Sequence, residues 1–385
     1  MMEVEWTEKG VCVDGFKAAG VRDGKYGLAL IAADRLCAAA GVFTKNSAVA
    51  SPVLWSKKAV KGGLSAVVAN SGCANACVKD GFNEVRETAD AAGRALGVQP
   101  ARIGVASTGI IGRRLDIKIV ERLIDEASRK LSTGAGASMD AARAIMTTDT
   151  KLKQVSVSFK GVEVGGICKG AGMIAPEMAT MLCFITTNAE LSSRELQAAL
   201  DEAVQKSFNM TVIDGDMSTN DTVLLLSSGR KKCRIRDFKT LLGIVTTELA
   251  KMIAKDGEGA SKYIEITVTG AKDRTSASTA AKAVASSPLV KTAFYGVNPN
   301  WGRIMSAIGS KLRINPMKAT ISFTSRKGKV AVFDRGRIGD LDKAREVLKE
   351  KDISVTVNLR MGTGEATAFT CDLTEEYVRI NAGYN

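Results

Sequence analysis

The sequence predicts an α+β fold with substantial antiparallel pairing, not a doubly wound parallel sheet. Three observations carry this. First, KQVSVSFKGVEVGGIC alternates Val155, Val157 and Phe159 ahead of a Lys160-Gly161 turn, the pattern of a hairpin. Second, strands and helices mix without a regular βαβ rhythm. Third, KGAGMIA resembles a dinucleotide-binding glycine fingerprint but lacks its helix. About eight residues, Pro176 among them, separate Gly172 from the apolar run at Met181, where a crossover needs ten or more.

The elements follow in order. GLALIAAD, AAAGVFT and GLSAVVANSG read as short strands, and FNEVRETADAAGRALG as a helix. RLDIKIVERLIDEASRKL places Leu115, Ile119, Leu123, Ala127 and Leu131 on one helical face. After the hairpin, MLCFITT is an apolar run of strand length, and Ser192-x-x-Glu195 is a capping box ahead of the helix LQAALDEAVQKSF. DTVLLLSSG reads as a buried strand, DFKTLLGIVTTELAKMIAKDG as a long helix ending at Gly257, and YIEITVTG as a strand followed by an Ala/Ser-rich helix. Near the end, KATISF, KVAVF, ISVTVNL and EATAFTCDL are strands around one helix, LDKAREVLKE.

At 385 residues, the chain is long enough for two packed domains or one large α/β unit. Apolar residues make up 45% and charged residues 25%, as in soluble globular proteins. No apolar run approaches the roughly 18 residues of a membrane span, and MMEVEWTEKG lacks a signal-peptide layout; a cytoplasmic protein is the expectation. The eight cysteines are scattered, with only Cys73 and Cys77 close together, so they are expected to be free and to bind no metal. The net charge of +13 is spread along a chain with 5% aromatics and no reader motif. That disfavours nucleic acid and suits steering of small acidic substrates.

Histidine is absent, which excludes Ser-His-Asp and Cys-His mechanisms and imidazole metal sites. An acyl-transfer enzyme with this composition needs a lysine, a carboxylate or a chain-terminal amine as base.

Three stretches are candidate sites. DGDMSTND (214–221) begins like a calcium loop, but Thr219 and Leu225 replace the required Gly and Glu. It is either a polar turn or a wall of a site. STGIIG (107–112) is an ordinary turn or a place where a hydroxyl and backbone N–H groups meet an anion. Thr180, in KGAGMIAPEMATMLCFITTNA, is either a strand residue or a nucleophile. In the second reading its hydroxyl attacks the Ala179 carbonyl, the ester hydrolyses, and the freed α-amine, with a pKa near ~8, serves as base.

The motifs GFKAAGV, AAGVFTKNSAVASPV, VVANSGCANAC, ASTGIIG, AIMTTDT, KGAGMIAPEMATMLCFITT, SFNMTVIDGDMSTNDTVLLL, DGEGASK, NPNWGRI and DLTEEYVRINAGY run nearly end to end. In that order they resemble the ornithine acetyltransferase family, also called bifunctional glutamate N-acetyltransferases. The resemblance implies a layered αββα fold like that of N-terminal-nucleophile hydrolases, with a smaller C-terminal α/β part. It implies self-cleavage between Ala179 and Thr180 into an α chain (1–179) and a β chain (180–385), assembled as an α2β2 heterotetramer. It implies ping-pong transfer of acetyl from N-acetylornithine to glutamate through Thr180 in arginine biosynthesis, without a cofactor; acetyl-CoA stays open as a second donor. Thr108 and Gly109 match the oxyanion-hole pair, and Thr147, Lys169, Thr180, Glu258 and Asn381 match substrate-binding positions.

The sequence departs from the family pattern in INAGYN at the end, where a further Thr or Ser is usual, and at Ala175, Glu177 and Cys73. The first departure bears on substrate affinity or choice. Two other readings remain: hydrolysis of an amide or peptide by the same N-terminal Thr, and a non-catalytic basic binding protein.

Overall fold

The computed structural model describes residues 3–175 and 181–383. Its residues group into two compact units. The first holds residues 3–170, 181–208 and 217–249, and the second holds 171–175, 209–216 and 250–383.

The first unit is built from β1 (Glu5–Thr7), β2 (Phe16–Asp23), β3 (Tyr26–Phe43), α1 (Ser51–Ala59), β4 (Leu64–Ser71), α2 (Gly81–Leu96), β5 (Ile103–Ser107), α3 (Ile117–Lys130) and α4 (Ala135–Ile145). The hairpin β6 (Lys153–Phe159) and β7 (Val162–Lys169) follows, then β8 (Leu182–Ala189) and α5 (Ser193–Lys206). The two-residue β9 (Thr211–Val212) belongs to the second unit, and the chain returns to the first with β10 (Thr222–Lys231) and most of α6 (Ile235–Lys255).

Nine strands of this unit join in the order β1-β6-β7-β8-β10-β3-β4-β5, with β2 also on β3. The two strands expected from GLALIAAD and AAAGVFT are a single 18-residue strand. Its first half pairs with β2 and β4, and its second half pairs with β10. The register shifts between Ala32 and Cys37, and such an irregularity bends a strand. The bend folds the sheet over itself. Leu224 of β10 thereby reaches 2.9 Å from the position a Cβ would take on Gly104 of β5.

One core unites the two facing halves: Ala29, Ile31, Val67 and Ala69 from one, Ile167, Leu182, Phe184 and Leu224 from the other, with the alanines of α4. Behind the β2-β3-β4-β5 half, Leu28, Leu30 and Val68 meet α2 and α3. Behind the other half lie α5, whose Gln197 exchanges hydrogen bonds with Gly41, and α6, whose Leu249 packs on Gly166. The αββα layering expected from the resemblance is present in this unit.

Local chemistry explains the elements. Lys160 and Gly161 both have positive φ, +51° and +77°, as a two-residue hairpin turn requires. Ser192 and Glu195 form the expected capping box. Helix α3 starts at Ile117, because the Asp116 side chain accepts from Ile119 N. Its buried stripe is therefore Val120, Leu123, Ile124 and Ala127, and Leu115 and Leu131 flank the helix instead of belonging to it. The string KGAGMIA is not helical over 171–175, so the dinucleotide fingerprint is absent from the structure as from the reading of its spacing.

The second unit contains β9, β11 (Tyr263–Ala271), α7 (Arg274–Ala285), α8 (Pro288–Tyr295), α9 (Trp301–Gly309), β12 (Thr320–Ser325), β13 (Gly328–Asp334), β14 (Arg337–Ile338), α10 (Leu341–Leu348), β15 (Asp352–Asn358), β16 (Gly364–Cys371) and α11 (Glu375–Gly383). Seven strands run β14-β13-β12-β15-β11-β16-β9. Ile264, Ile266, Val268, Ile321, Phe323, Val355 and Val357 meet Ala277, Ala281, Val284, Val290, Ile304 and Val347 of the helices in one core. The smaller C-terminal part thus exists, but it also recruits 171–175 and 209–216 from the middle of the chain. The predicted cut falls between β7 and β8, which pair with each other, so both predicted fragments supply strands to the first sheet.

The inner face of β2 has no room for a side chain at Gly20, where a Cβ would collide with the Asp140 carbonyl of α4. Gly20→Ala should therefore destabilise the protein by about 1–3 kcal/mol, read as a lower urea midpoint at unchanged slope.

Candidate active site

The polar groups of the first unit gather where β5, β8 and β10 begin or end. Strand β5 stops at Ser107, and the chain turns through Thr108 and Gly109. Thr108 N–H donates to the Asn70 carbonyl at 2.9 Å, and Cys73 bridges to Thr108 and Ile110. Gly109 has φ +128°, and an added Cβ would lie 2.5 Å from the Gly72 carbonyl carbon. Only glycine fits that backbone. The Thr108 side chain is 4% exposed, and its hydroxyl has no hydrogen-bond partner among the described residues.

Asn220 locks this turn. Its Nδ2 donates to the Ala74 carbonyl at 2.6 Å and to the Ser107 carbonyl at 2.9 Å, while its Oδ1 accepts from Thr219. The STND half of DGDMSTND is thus a buried knot that fixes the end of β5, and not an exposed polar turn.

Asp221 follows. Its Oδ1 accepts from Met181 N at 3.2 Å, and its Oδ2 is buried with no partner. Burial pushes its carboxyl well above the usual carboxylate range, only partly offset by the Met181 N–H, Thr44 and the Lys169 ammonium. Burial thus favours the neutral form of this carboxyl. Met181 is covalently attached to Thr180; Ala179 and Thr180 themselves lie outside the described residues.

Thr147 and Lys169 come together through a carboxylate the sequence reading did not single out. Asp149 accepts from Thr147 N at 3.1 Å, Gly170 N at 2.6 Å and Lys153 Nζ at 2.7 Å, with Lys169 Nζ at 3.9 Å. Burial alone would raise its carboxyl, but the ammonium groups of Lys169 and Lys153 and the two N–H donors outweigh it and hold the group at about 2. MTTDT contained Asp149, and Lys153 follows it by four residues. Their burial is what the string could not show.

Glu258 and Asn381 belong to the second unit. Asn381, on α11, donates to Glu258 Oε2 at 2.9 Å and to the Tyr377 carbonyl at 3.0 Å. Glu258 N–H donates to the Ala171 carbonyl at 2.8 Å, and Gly172 leaves the space its carboxylate occupies. Asp214 accepts from Met173 N at 2.6 Å and Ile174 N at 2.8 Å. Burial, followed by the neighbouring carboxylates of Asp214 and Glu258, pushes the Tyr377 phenol up. Asp214 opens the DGDMSTND stretch read above as a turn or a wall of a site; Tyr377 was not singled out, although it sits in a motif quoted for the resemblance.

Among the described residues, no group of three or more Cys, Asp or Glu side chains is arranged to hold a metal. All eight thiols are free; Cys73 is buried and Cys77 exposed.

Residues 14–385 match the ArgJ family model. The chain is 46% identical to a glutamate N-acetyltransferase of Methanosarcina mazei, over 98% of both chains. It is 43% identical to that of Methanocaldococcus jannaschii, over 96% of both. Among solved structures, the arginine biosynthesis bifunctional protein argJ of Bacillus halodurans is 39% identical over 52% of this chain and 98% of that one, with a TM-score of 0.48.

Asp221 and Asp149 make opposite contributions to the pH dependence of stability. Asp149, depressed, stabilises above its unfolded value near ~3.9, and that contribution is lost as pH falls toward about 2. Asp221, raised, favours folding below its unfolded value, and that contribution fades as pH rises toward its folded value. Asp221→Asn keeps an acceptor for Met181 N–H and removes the ionisation. Its melting temperature at pH 8 should equal or exceed that of the parent, with a flatter profile from pH 5 to 8 in differential scanning calorimetry.

Proposed function

Because the chain belongs to the ArgJ family, we propose that it moves an acetyl group from N-acetylornithine to glutamate through an acetyl ester on Thr180, after cutting itself between Ala179 and Thr180. It is an acyltransferase of arginine biosynthesis. The observation that carries the finer reading is Thr108, a residue only 4% exposed whose hydroxyl has no hydrogen-bond partner among the described residues, on a turn that Gly109 shapes and Asn220 ties down. In a chain without histidine, such a donor suits an oxyanion, and an N-terminal amine suits the base.

The chemistry runs in two halves. The Thr180 α-amine takes the proton from its own hydroxyl, and Oγ attacks the acetyl carbonyl carbon of N-acetylornithine. The oxyanion is met by the Thr108 hydroxyl and the Gly109 N–H, preorganised donors of the kind that contribute about 3–4 kcal/mol each to such a step. The C–N bond breaks, the amine proton passes to ornithine, and ornithine leaves. The glutamate amine then attacks the ester, Thr180 recovers its proton, and N-acetylglutamate leaves.

Lys169 offers a cation to a substrate carboxylate, and Glu258 an anion to an ammonium. Thr147 and Asn381 complete the substrate contacts. No cofactor takes part; acetyl-CoA is a second donor to be assayed. The fragments 1–179 and 180–385 stay together as an α2β2 heterotetramer, in the cytoplasm. No helix among the described residues is long and apolar enough to cross a membrane.

Purified protein on a denaturing gel should run as two fragments of near half length, with Edman sequencing of one starting at Thr180. Thr180→Ala should remain one chain and lose at least about 10³-fold in acetyl transfer to glutamate, since the nucleophile is gone. A fully active uncut chain would refute the mechanism. Acetyl groups appearing as free acetate would favour the hydrolase reading.

A further inference from the structure

Residues 171–175 join the second unit, and one side chain of that unit gathers them in. Asp214 accepts from two successive amides of this arm, Met173 N through Oδ2 at 2.6 Å and Ile174 N through Oδ1 at 2.8 Å. Oδ1 also accepts from Asp216 N at 3.2 Å, which curls the 213–216 loop around its own side chain. The Ile174 carbonyl returns the contact, accepting from Ile213 N at 3.0 Å and Gly215 N at 3.3 Å. Met173 has φ +56°, in the left-handed region that residues with a β-carbon rarely occupy. The bonds that hold it there come from outside the arm.

Glu258 is clamped between this arm and α11. Its N–H donates to the Ala171 carbonyl at 2.8 Å, and a Cβ added to Gly172 would lie 2.3 Å from its Oε2. On the other side, Gly259 packs on α11. A Cβ there would lie 2.5 Å from Tyr377 N, and the Gly259 carbonyl accepts from the Thr374 hydroxyl at 2.7 Å. Asn381 of α11 then donates to Glu258 Oε2 at 2.9 Å. The carboxylate thus has a backbone floor at 171–172 and an amide donor as its wall. Asp214 is the side chain that pins the floor.

We propose that Asp214 is a positioning residue for substrate binding: by fixing the amides of Met173 and Ile174 it sets Ala171 and Gly172 under Glu258, and so aims that carboxylate at the ammonium group of a substrate. The inference rests on the reading of Glu258 as the anionic substrate contact. Asp214 itself touches no substrate.

The test compares the parent, D214N, E258Q and D214N/E258Q in the full chain, by acetyl transfer from N-acetylornithine to glutamate, hydrogen–deuterium exchange and thermal melts. D214N keeps the shape and one carbonyl oxygen, but turns the other acceptor into a donor that faces an N–H. It should raise KM for N-acetylornithine about tenfold with kcat within about threefold. A merely structural role would lower the melting temperature and the active fraction and leave KM alone. Because Asp214 acts through Glu258, the two substitutions should not add: D214N placed in E258Q should change KM by less than about twofold. Exchange at 171–175 should quicken at least about tenfold in D214N and stay at the parent rate in E258Q. Where D214N does not accumulate, D214N/M173G carries the test with the same expected rise in KM, since glycine takes the left-handed backbone at 173 unaided.

A D214N with parent exchange at 171–175, with parent KM, or with an effect that adds fully to that of E258Q overturns the proposal. An E258Q that keeps the parent KM removes Glu258 as a substrate contact and the role of Asp214 with it. Calorimetric titration with ornithine should give the same order of affinities without turnover. Absent transferase activity in the parent would therefore count against the proposed function alone.

Discussion

Strand β8 is buried along its whole length on both faces, and much of the first unit follows from that. It pairs antiparallel with β7 and parallel with β10. Its Leu182 and Phe184 point into the core between the facing half-sheets, which leaves Cys183 and Ile185 on the opposite face. A strand with two apolar faces must be covered on both sides. The folded-over sheet provides one cover and α5 with α6 the other.

Around that register the protein places polar groups that a core tolerates only when they are satisfied. Asn220 ties the β5 turn to residue 74, Asp221 holds Met181, and Asp149 gathers donors from three segments. Among the described residues, Asn75 Oδ1, Gln154 Oε1 and Asp221 Oδ2 are buried without a hydrogen-bond partner. Such exceptions carry a cost to stability, and Asp221 bonds the N–H of Met181, next to a residue that the family resemblance marks for chemistry.

The two buried aspartates show how surroundings divide one residue type into two roles. Asp149 meets two ammonium groups and two N–H donors and stays ionised; Asp221 meets one N–H, and burial dominates. The first ties Thr147, Lys153 and Gly170 together. The second accepts from the Met181 N–H just ahead of β8.

The sequence by itself determined the class of fold, the hairpin at Lys160-Gly161, the capping box at Ser192 and most strands, because these depend on local periodicity and turn chemistry. It also determined the family, since long ordered motifs are specific, and through the resemblance it marked Thr108, Gly109, Thr147, Lys169, Glu258 and Asn381 as expected site positions. Tertiary structure alone decided that GLALIAAD and AAAGVFT are one bent strand, because a bend appears only when two sheet halves close on each other. It alone revealed that α3 begins at its Asp116 cap and that 171–175 and 209–216 join the second unit. It alone singled out Asp149, Lys153 and Asp221. Their side chains are ordinary in a string of letters; burial and the neighbours brought by distant segments set their charge, and neither has a period that sequence can display.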